Sequence, residues 1–385
     1  MLLLGALATT AYVNHFPVHD NAFGVKLPAS DVRNNSFAFL IADYGLNTAS
    51  MEGGCCQTDV AELMRKKRAE LEGEGKTLLF VGAGGDNFYY TGLKDADKGG
   101  ATQWKRWETV YSGLHDVPWF AAMGNHDFGD SDAHATCPEK APRVTIGGQA
   151  YASNQLDADK GGYRPPGGHA SNFHMPDFNY RATLDALNLE IFGLDQNYVD
   201  IHGIGGNANR SADVNRKCGG HLRQRLHEIG QSGEALLEQA AAAGAKDPSQ
   251  TRNVLVIQHY PGLCAGLLSK FSASMPAGEA LDFRCSFGHT HNTVCELGSD
   301  DDCMASMNGG GGGCCAKDVT HSQAGFAVLT FKPSGGMQIE LIRLGRPCTF
   351  EPAGMTDEER ALAKLHEHGD EHTASFAAQK AEINA

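Results

Sequence analysis

Five short apolar runs of this chain each end at a polar residue of the Asp, Asn or His type. The runs span residues 36–42, 78–81, 118–123, 253–258 and 283–287, with lengths typical of buried β-strands. Open α/β sheets hold ligands beyond the carboxyl ends of their strands, because the strand fixes the position of the residue that follows it. One such motif alone is also common in turns. Five in order favour a shared site at one sheet edge.

The side chains at these strand ends are mixed oxygen and nitrogen donors. They are Asp43, Asp86, Tyr89, Asn125, His126, His259, His289 and His291. Such donors suit first-row transition metals. The set is too large for one tetrahedral zinc ion and fits two metals that share a carboxylate. A lone histidine after a strand, such as His259, also has a structural interpretation as a buried, hydrogen-bonded residue.

The order of the elements predicts an α/β fold with mixed sheets. Helical periodicity covers residues 57–71, 104–110 and 221–243, and these segments alternate with the apolar runs. Residues 326–331 and 337–344 have the pattern of a late antiparallel hairpin. Further β-like patterns lie at 172–178 and 187–194.

The domain organisation is predicted from composition. The length allows one large α/β domain or two smaller ones. Residues 31–349 are expected to form a single domain, with an irregular insertion at 128–172 that is rich in Gly, Pro, Asp and Lys. Residues 1–30 form an N-terminal segment whose first part resembles the end of a secretory signal, without a basic n-region. Residues 350–385 form a charged, Ala-rich helical tail. The five glycines at 309–313 either let the backbone approach a ligand or form a flexible turn.

Charge and cysteine content restrict partners and compartment. The net charge of −14 argues against nucleic acid or an anionic membrane as a partner, and no apolar stretch is long enough for a transmembrane helix. Eleven cysteines without a CxxC pair, including doublets at 55–56 and 314–315, favour disulfides over a metal site. An oxidising compartment is therefore expected, with buried free cysteines as the alternative. Sequons at 34–36 and 209–211 fit a secreted glycoprotein.

The strand-end motifs resemble, in order, those of the purple acid phosphatases, which are calcineurin-like metallophosphoesterases. The motifs are Asp-Tyr-Gly at 43–45, Gly-Asp-Asn-Phe-Tyr at 85–89, Gly-Asn-His-Asp at 124–127, His-Tyr-Pro at 259–261 and Gly-His-Thr-His at 288–291. The residues at 86–92 and the Val-Pro-Trp at 117–119 are most similar to the small tartrate-resistant type. The resemblance covers roughly residues 36 to 345.

This resemblance implies a four-layer αββα sandwich, in which two mixed β-sheets are flanked by helices and a dinuclear metal site lies at the carboxyl edge of the strands. It assigns three residues to a first metal, Fe(III): Asp43, Tyr89 and His291. It assigns three residues to a second, divalent metal (Fe, Zn or Mn): Asn125, His259 and His289. Asp86 bridges the two metals. Tyr89 is the discriminating residue, because a tyrosinate oxygen suits Fe(III) and gives the family its colour.

The resemblance also implies a role for His126, and the chemistry of the next residue suggests one for Asp127. His126 lies near the phosphate as an acid or an electrostatic stabiliser. Asp127 is predicted to orient His126 through a carboxylate–imidazole hydrogen bond. One departure precedes them in the chain: the first motif usually carries Trp where this sequence has Tyr44.

A second departure concerns the leaving group. The family has another active-site histidine nine or ten residues after the position of His259, and this sequence has none there. Leaving-group protonation is therefore expected to rely on His126 alone, on Lys270, or on a residue of the insertion such as His169 or His174.

The expected activity is hydrolysis of phosphate monoesters, by in-line attack of a metal-bound hydroxide on a phosphorylated small molecule or phosphoprotein. The alternative enzyme is a phosphodiesterase or nucleotide hydrolase that uses the same site. A protein phosphatase of the same superfamily fits worse, because the Asp-Arg-Gly element is absent after the second Asp motif. An alternative from another class is a secreted binding protein with a vestigial metal site. A lysosome-like or other endomembrane location is also compatible with the cysteines.

Overall fold

The computed structural model of the chain describes residues 18–20, 25–45, 56–89, 92–93, 99–128, 152–157, 162–166, 168–199, 222–312 and 324–345. The strands in these ranges are β1 (Val18–Asp20), β2 (Ser36–Ile41), β3 (Thr77–Ala83), β4 (Trp119–Ala121), β5 (Phe173–His174), β6 (Tyr180–Leu184), β7 (Leu189–Gly193), β8 (Arg252–Ile257), β9 (Leu281–Phe287), β10 (Thr293–Ser299), β11 (Asp302–Asn308), β12 (Gly325–Phe331) and β13 (Met337–Arg343). The α-helices are α1 (Gln57–Gly73), α2 (Gly99–Val110), α3 (Leu222–Ala243) and α4 (Cys264–Ser274).

The strands form two mixed sheets. One sheet has the strand order β1-β6-β7-β8-β9-β11-β10, and the other has the order β13-β12-β2-β3-β4-β5. Strands β2, β3, β4 and β5 are mutually parallel, as are β7, β8 and β9, while the hairpin pairs β12–β13 and β10–β11 are antiparallel. The parallel strands matter for function, because their carboxyl ends lie at one edge of each sheet.

The two sheets pack face to face. A Cβ atom built on Gly82 of β3 would lie 2.9 Å from the side chain of Ile257 on β8, so these two strands approach closely across the interface. A buried cluster joins both sheets and also contains residues of α1 and α2, such as Val60 and Trp104.

A second buried cluster joins the outer face of the seven-stranded sheet to α3 and α4, through residues such as Leu237 and Phe271. Helices therefore cover the outer faces of both sheets. The predicted α/β sandwich, with two mixed sheets flanked by helices, is confirmed.

The structure contains elements that the sequence pattern does not indicate, namely β6, α4 and the hairpin of β10 and β11. Strand β10 lies at a sheet edge and leaves four residues exposed, so it lacks the apolar alternation of a half-buried strand. The β-like pattern at 172–178 forms only the short strand Phe173–His174. The predicted hairpin forms as β12 and β13.

Two disulfides join Cys264 to Cys285 and Cys295 to Cys303, and Cys56 is also disulfide-bonded. They indicate an oxidising environment, as the cysteine content predicts. Within the described ranges, none of the helices has the length and apolarity needed to span a membrane. The signal-like N-terminus, the sequon at 209–211, most of the insertion between 129 and 151, and the tail at 350–385 lie outside the described residues.

Candidate metal centre

All the predicted strand-end residues meet at one edge of the sandwich. The loops after β2, β3 and β4 bring Asp43, Asp86 and Asn125 from the six-stranded sheet, and the loops after β8 and β9 bring His259 and His289 from the seven-stranded sheet. The parallel order of these strands places their carboxyl ends side by side, which is why residues far apart in sequence share this edge.

One cluster is built around Asp43. The Tyr89 hydroxyl donates a hydrogen bond of 2.8 Å to Asp43 Oδ1 and lies 3.1 Å from His291 Nε2. His291 Nε2 lies 3.5 Å from Asp43 Oδ1. Ligand atoms of Asp43, Asp86 and His291 all lie within 4.8 Å of one another, which is close enough to hold a metal ion.

A second cluster is built around Asn125. Its Oδ1 lies 3.0 Å from His259 Nε2 and 3.2 Å from His289 Nδ1. His259 Nε2 also lies 3.5 Å from Asp86 Oδ1. Asp86 is therefore near both clusters.

The charges at this edge are unbalanced. Asp43 and Asp86 are each 1% exposed, and within the described parts of the chain no Lys or Arg forms an ion pair with either. Burial and the charge of Asp86 raise the pKa of Asp43 well above its usual value. Burial also disfavours ionisation of Asp86, but the neighbouring charges of His259, His126 and His289 outweigh it and lower its pKa to about 2. Two buried carboxylates side by side fit a site for cations.

The backbone of the site is strained at its ligand positions. Asp43, Asp86, His289 and His291 all have positive φ, between 51° and 76°, and they are four of the six such non-glycine residues in the described ranges. This conformation costs free energy for residues with a Cβ and persists where the surroundings enforce it, most often at functional sites. Strain concentrated on these residues supports a functional constraint on their positions.

Glycines allow the loops to approach the carboxylates. A Cβ atom on Gly124 would collide with Asp86 Oδ1, and one on Gly309 would lie 2.6 Å from Asp43 Oδ2. Residues Gly309–Gly311 form a 3₁₀ turn. Of the two interpretations of the glycine run, the described part agrees with close backbone approach to the site.

His126 lies at the rim of the centre. Its side chain is partly exposed, its backbone N–H donates a 3.0 Å hydrogen bond to Asp86 Oδ1, and its ring contacts Tyr89 edge to face with centroids 4.6 Å apart. It is thus placed beside both clusters without being part of either.

The described hydrogen bonds of Asp127 do not include the predicted one to the His126 ring. Asp127 is fully buried, and its carboxylate accepts hydrogen bonds from the backbone N–H groups of Gly124, Asn87 and Phe88 and from the side chains of Asn87 and Gln155. The carboxylate points into the loops behind the site, because that is where the unpaired N–H donors lie. Burial and the charge of Asp86 raise the pKa of Asp127 to about 7, against the effect of these hydrogen bonds.

The other proposed proton donors lie in different surroundings. Lys270 is on α4 and pairs with Glu234 on α3. The His169 ring stacks on His115 with centroids 4.0 Å apart, and His174 lies 3.9 Å from Asp157. The described contacts bring none of these three side chains to the metal-ligand clusters.

Sequence reasoning missed Asn197, which supports the site through Tyr260. The Tyr260 hydroxyl donates a 3.2 Å hydrogen bond to Asn197 Oδ1, and the Tyr260 ring lies 4.7 Å from that of His289. Asn197 follows β7 in the sequence Asp-Gln-Asn at 195–197. The same strand-end signal that identifies the other residues would have found it.

A protein-family comparison matches residues 39–293, more than half of the chain, to the calcineurin-like phosphoesterase model. This range contains every residue of the two clusters. A comparison with curated protein sequences finds no significant match.

Similar solved structures include GAP50, the anchor in the inner membrane complex of Plasmodium, with 17% identity and a TM-score of 0.46 over 86% of this chain and 94% of that one. A purple acid phosphatase from yellow lupin (Lupinus luteus) seeds has 13% identity and a TM-score of 0.41, over 82% of this chain and 52% of its own. A Staphylococcus aureus protein described as a 5′-nucleotidase has 12% identity and a TM-score of 0.39, over 86% and 58%. The chain thus spans little more than half the length of the last two.

Proposed function

Because the chain belongs to the calcineurin-like phosphoesterase family, we propose that it is a phosphomonoesterase of the purple acid phosphatase type, nearest to the small tartrate-resistant form. The proposed cofactors are Fe(III) and a divalent Fe, Zn or Mn ion. The observation that carries the proposal is the contact of the Tyr89 hydroxyl with Asp43 and His291, at 2.8 and 3.1 Å. It adds a phenolic oxygen to one metal pocket, and such a hard oxygen donor suits ferric iron.

Each cluster contributes a ligand set. Asp43, Tyr89 and His291 would hold the ferric ion, and Asp86 would be shared between both ions. The second ion would be held by Asn125, His259 and His289. When bound, the two metals would polarise the phosphoryl group and activate a water molecule for in-line attack.

His126 is the residue proposed to act directly on the substrate. Its ring is partly exposed and contacts the ring of Tyr89, which places it next to the proposed ferric pocket. There it would stabilise charge on the phosphoryl oxygens or donate a proton to the leaving group. The edge-to-face contact with Tyr89 limits the orientations that the His126 ring can take.

The phosphatase activity is tested with p-nitrophenyl phosphate at acid pH. Asp86→Ala removes the proposed shared ligand, and we expect kcat/KM to fall by at least about 10²–10³-fold. Glu190→Ala is the control for loss of a buried carboxylate, since Glu190 pairs with Arg181 and Arg252 at the start of β8, away from both clusters. Equal activity of Asp86→Ala and the wild type would refute the assignment.

The ferric assignment has its own test. Iron-loaded protein is expected to absorb in the yellow-green region, and Tyr89→Phe is expected to abolish this band. Tyr180→Phe, which removes an equally buried phenol that bonds the Ala121 carbonyl, should keep it. If the band persists in Tyr89→Phe, the ferric–tyrosinate centre is wrong, while a two-metal phosphoesterase without tyrosinate still stands.

Assays with one panel of phosphorylated substrates separate the proposed phosphomonoesterase from the alternative enzymes. Phosphorylated small molecules and phosphoproteins are the proposed substrates, and faster turnover of bis-p-nitrophenyl phosphate or nucleotides would favour the phosphodiesterase or nucleotide hydrolase. Metal analysis that finds far fewer than two ions per chain would favour a binding protein with a vestigial site.

The proposed location is a secreted or lysosome-like compartment, which is supported by the disulfides and by the sequon at Asn34. Asn34 is exposed in the turn before β2, where a glycan could be attached. We expect glycosidase treatment to change the gel mobility of the wild type and not that of Asn34→Gln. A change that persists in Asn34→Gln would mean that the glycan is attached at another residue.

A further inference from the structure

Behind the metal centre, four buried side chains form one continuous hydrogen-bonded group, which we call the loop clasp. Its members are Tyr44, Asn87, Asp127 and Gln155, and each is at most 1% exposed. None of the four belongs to the proposed metal-ligand set. They are polar groups in a dry interior, where each unmade hydrogen bond would be costly.

Asn87 is the centre of the loop clasp. Its Oδ1 accepts a 2.8 Å hydrogen bond from the Tyr44 hydroxyl. Its Nδ2 donates to the Ala122 carbonyl at 2.8 Å, and to Asp127 Oδ2 and Gln155 Oε1 at 3.2 Å each. One amide thereby links the loops after β2, β3 and β4.

Asp127 closes the loop clasp from the other side. Its carboxylate accepts from the backbone N–H of Gly124 at 2.8 Å and from those of Asn87 and Phe88 at 3.0 and 3.1 Å. Gln155 Nε2 donates to its Oδ1 at 2.9 Å. The loop after β4 is therefore fixed to the loop after β3 by its own aspartate.

Each linked loop carries a proposed metal ligand next to a clasp residue. Tyr44 follows Asp43, and Asn87 follows Asp86. Asp127 lies two residues after Asn125. Because the neighbouring residues are fixed to one another, the distances between ligands of the two pockets depend on the hydrogen bonds of the loop clasp.

Gln155 reaches the loop clasp from a different part of the chain. It lies in the 128–172 insertion, in the described segment 152–157, where the neighbouring Asn154 side chain donates to the Leu93 carbonyl at 2.8 Å. The insertion thus supplies a buried side chain to the support of the metal centre.

We propose that Tyr44 and Gln155 are positioning residues that set the spacing of the two metal pockets, by holding Asn87 and Asp127 in place. The proposal rests on the proposed function, since it takes the two-metal centre as given. Residues that support metal ligands through hydrogen bonds contribute to metal affinity, because they fix the ligand geometry before the metal arrives.

The test uses Zn²⁺ binding to metal-free full-length protein, measured by competition with a chromophoric chelator. Tyr44→Phe removes the hydroxyl alone, and Gln155→Leu removes the amide alone. We expect each to weaken the weaker Zn²⁺ site by about 10–100-fold. The double variant should lose less than the product of the two effects, because both act through Asn87.

Two matched variants control for general loss of stability. Tyr180→Phe removes an equally buried hydroxyl that bonds the Ala121 carbonyl at 3.0 Å, outside the loop clasp. Asn154→Leu changes the residue next to Gln155. Both are expected to lower the melting temperature as Tyr44→Phe and Gln155→Leu do, and to leave the Zn²⁺ affinity unchanged.

The outcomes separate the two proposals. If Tyr44→Phe and Gln155→Leu melt earlier but bind Zn²⁺ like the wild type, the loop clasp is merely structural and the positioning proposal is wrong. If Tyr44→Phe does not fold, Gln155→Leu compared with Asn154→Leu decides by the same criterion. If the wild type itself binds no Zn²⁺, the proposed function fails, and the positioning proposal fails with it for that distinct reason.

Discussion

Strand β8 carries Arg252 at its start and leads to His259 beyond its end, and buried charges lie at both ends. At the start, Arg252 is 0% exposed, donates to Glu190 at 2.6 Å and lies 3.5 Å from Glu279. Arg181 pairs with the other oxygen of Glu190 at 2.8 Å. The Arg252 guanidinium also donates hydrogen bonds to the carbonyls of Ala240 and Ala241 in the last turn of α3. Acidic and basic groups are here equal in number.

At the other end of the strand, the balance is different. Asp43 and Asp86 are as deeply buried, yet their described partners are histidines, Tyr89 and backbone N–H groups, with neither Lys nor Arg among them. A buried carboxylate that is paired with an arginine needs no further cation to balance its charge. The carboxylates of Asp43 and Asp86 have only titratable histidines in place of Lys or Arg, which suits a site where a metal cation supplies the balancing charge. The difference distinguishes a structural charge cluster from a binding site.

The largest effect on stability is expected at the balanced end. Arg252→Met would leave Glu279 without its buried partner and the end of α3 without its donor, at a cost of about 3–5 kcal/mol in the free energy of unfolding. Urea denaturation measures this, and metal should not restore the loss. Lys246→Met, at an exposed pair with Asp185, is the control and should change little. If Arg252→Met lowers the free energy of unfolding as little as Lys246→Met does, the proposed difference between the two ends of β8 is wrong.

Metal addition tests the unbalanced end. Zn²⁺ at about 100 to 1,000 times its dissociation constant should stabilise the metal-free protein by about 3–4 kcal/mol, because it binds the folded state alone. The melting temperature with and without metal measures this. Asp86→Asn should lose the increment and Arg252→Met should keep it. An increment that survives in Asp86→Asn would place the metal outside the described clusters.

A single buried carboxylate sharpens the comparison further. Asp195 follows β7 near the same edge, and burial raises its pKa from 3.8 to about 6, against hydrogen bonds from Asn197. A raised pKa means that the folded state binds the proton more tightly, so stability is lost as the pH rises from about 4 to 6. The expected loss is about 3 kcal/mol, at 1.36 kcal/mol for each unit of pKa.

The measurement compares Asp195→Asn with the wild type by urea denaturation at pH 4 and pH 7.5. Because all other groups titrate equally in both proteins, their difference isolates Asp195. The variant should gain about 3 kcal/mol relative to the wild type between the two pH values. A difference that is independent of pH would mean that Asp195 stays protonated or is solvated in the folded protein.

Local patterns predicted the elements with a strong apolar signal. Strands β2, β3, β8 and β9 and helices α1 and α3 lie where apolar runs and helical periodicity place them. Strand β10 escaped prediction because its exposed edge position removes the alternation on which prediction depends. The same limit applies at the site: the motif identified Asp127, but not the direction of its side chain.

The sequence by itself determined the chemistry of the site, because the donor types and their places after strands are local properties of the chain. Tertiary structure alone decided the pairings: that Tyr89 contacts Asp43 and His291, and that Asp127 binds loop N–H groups instead of His126. Gln155 was unpredictable for the same reason, since nothing within its insertion indicates which distant loop it will reach. Hydrogen-bond partners depend on the crossing of sheets and the packing of loops, which are set by the whole core and not by any single segment.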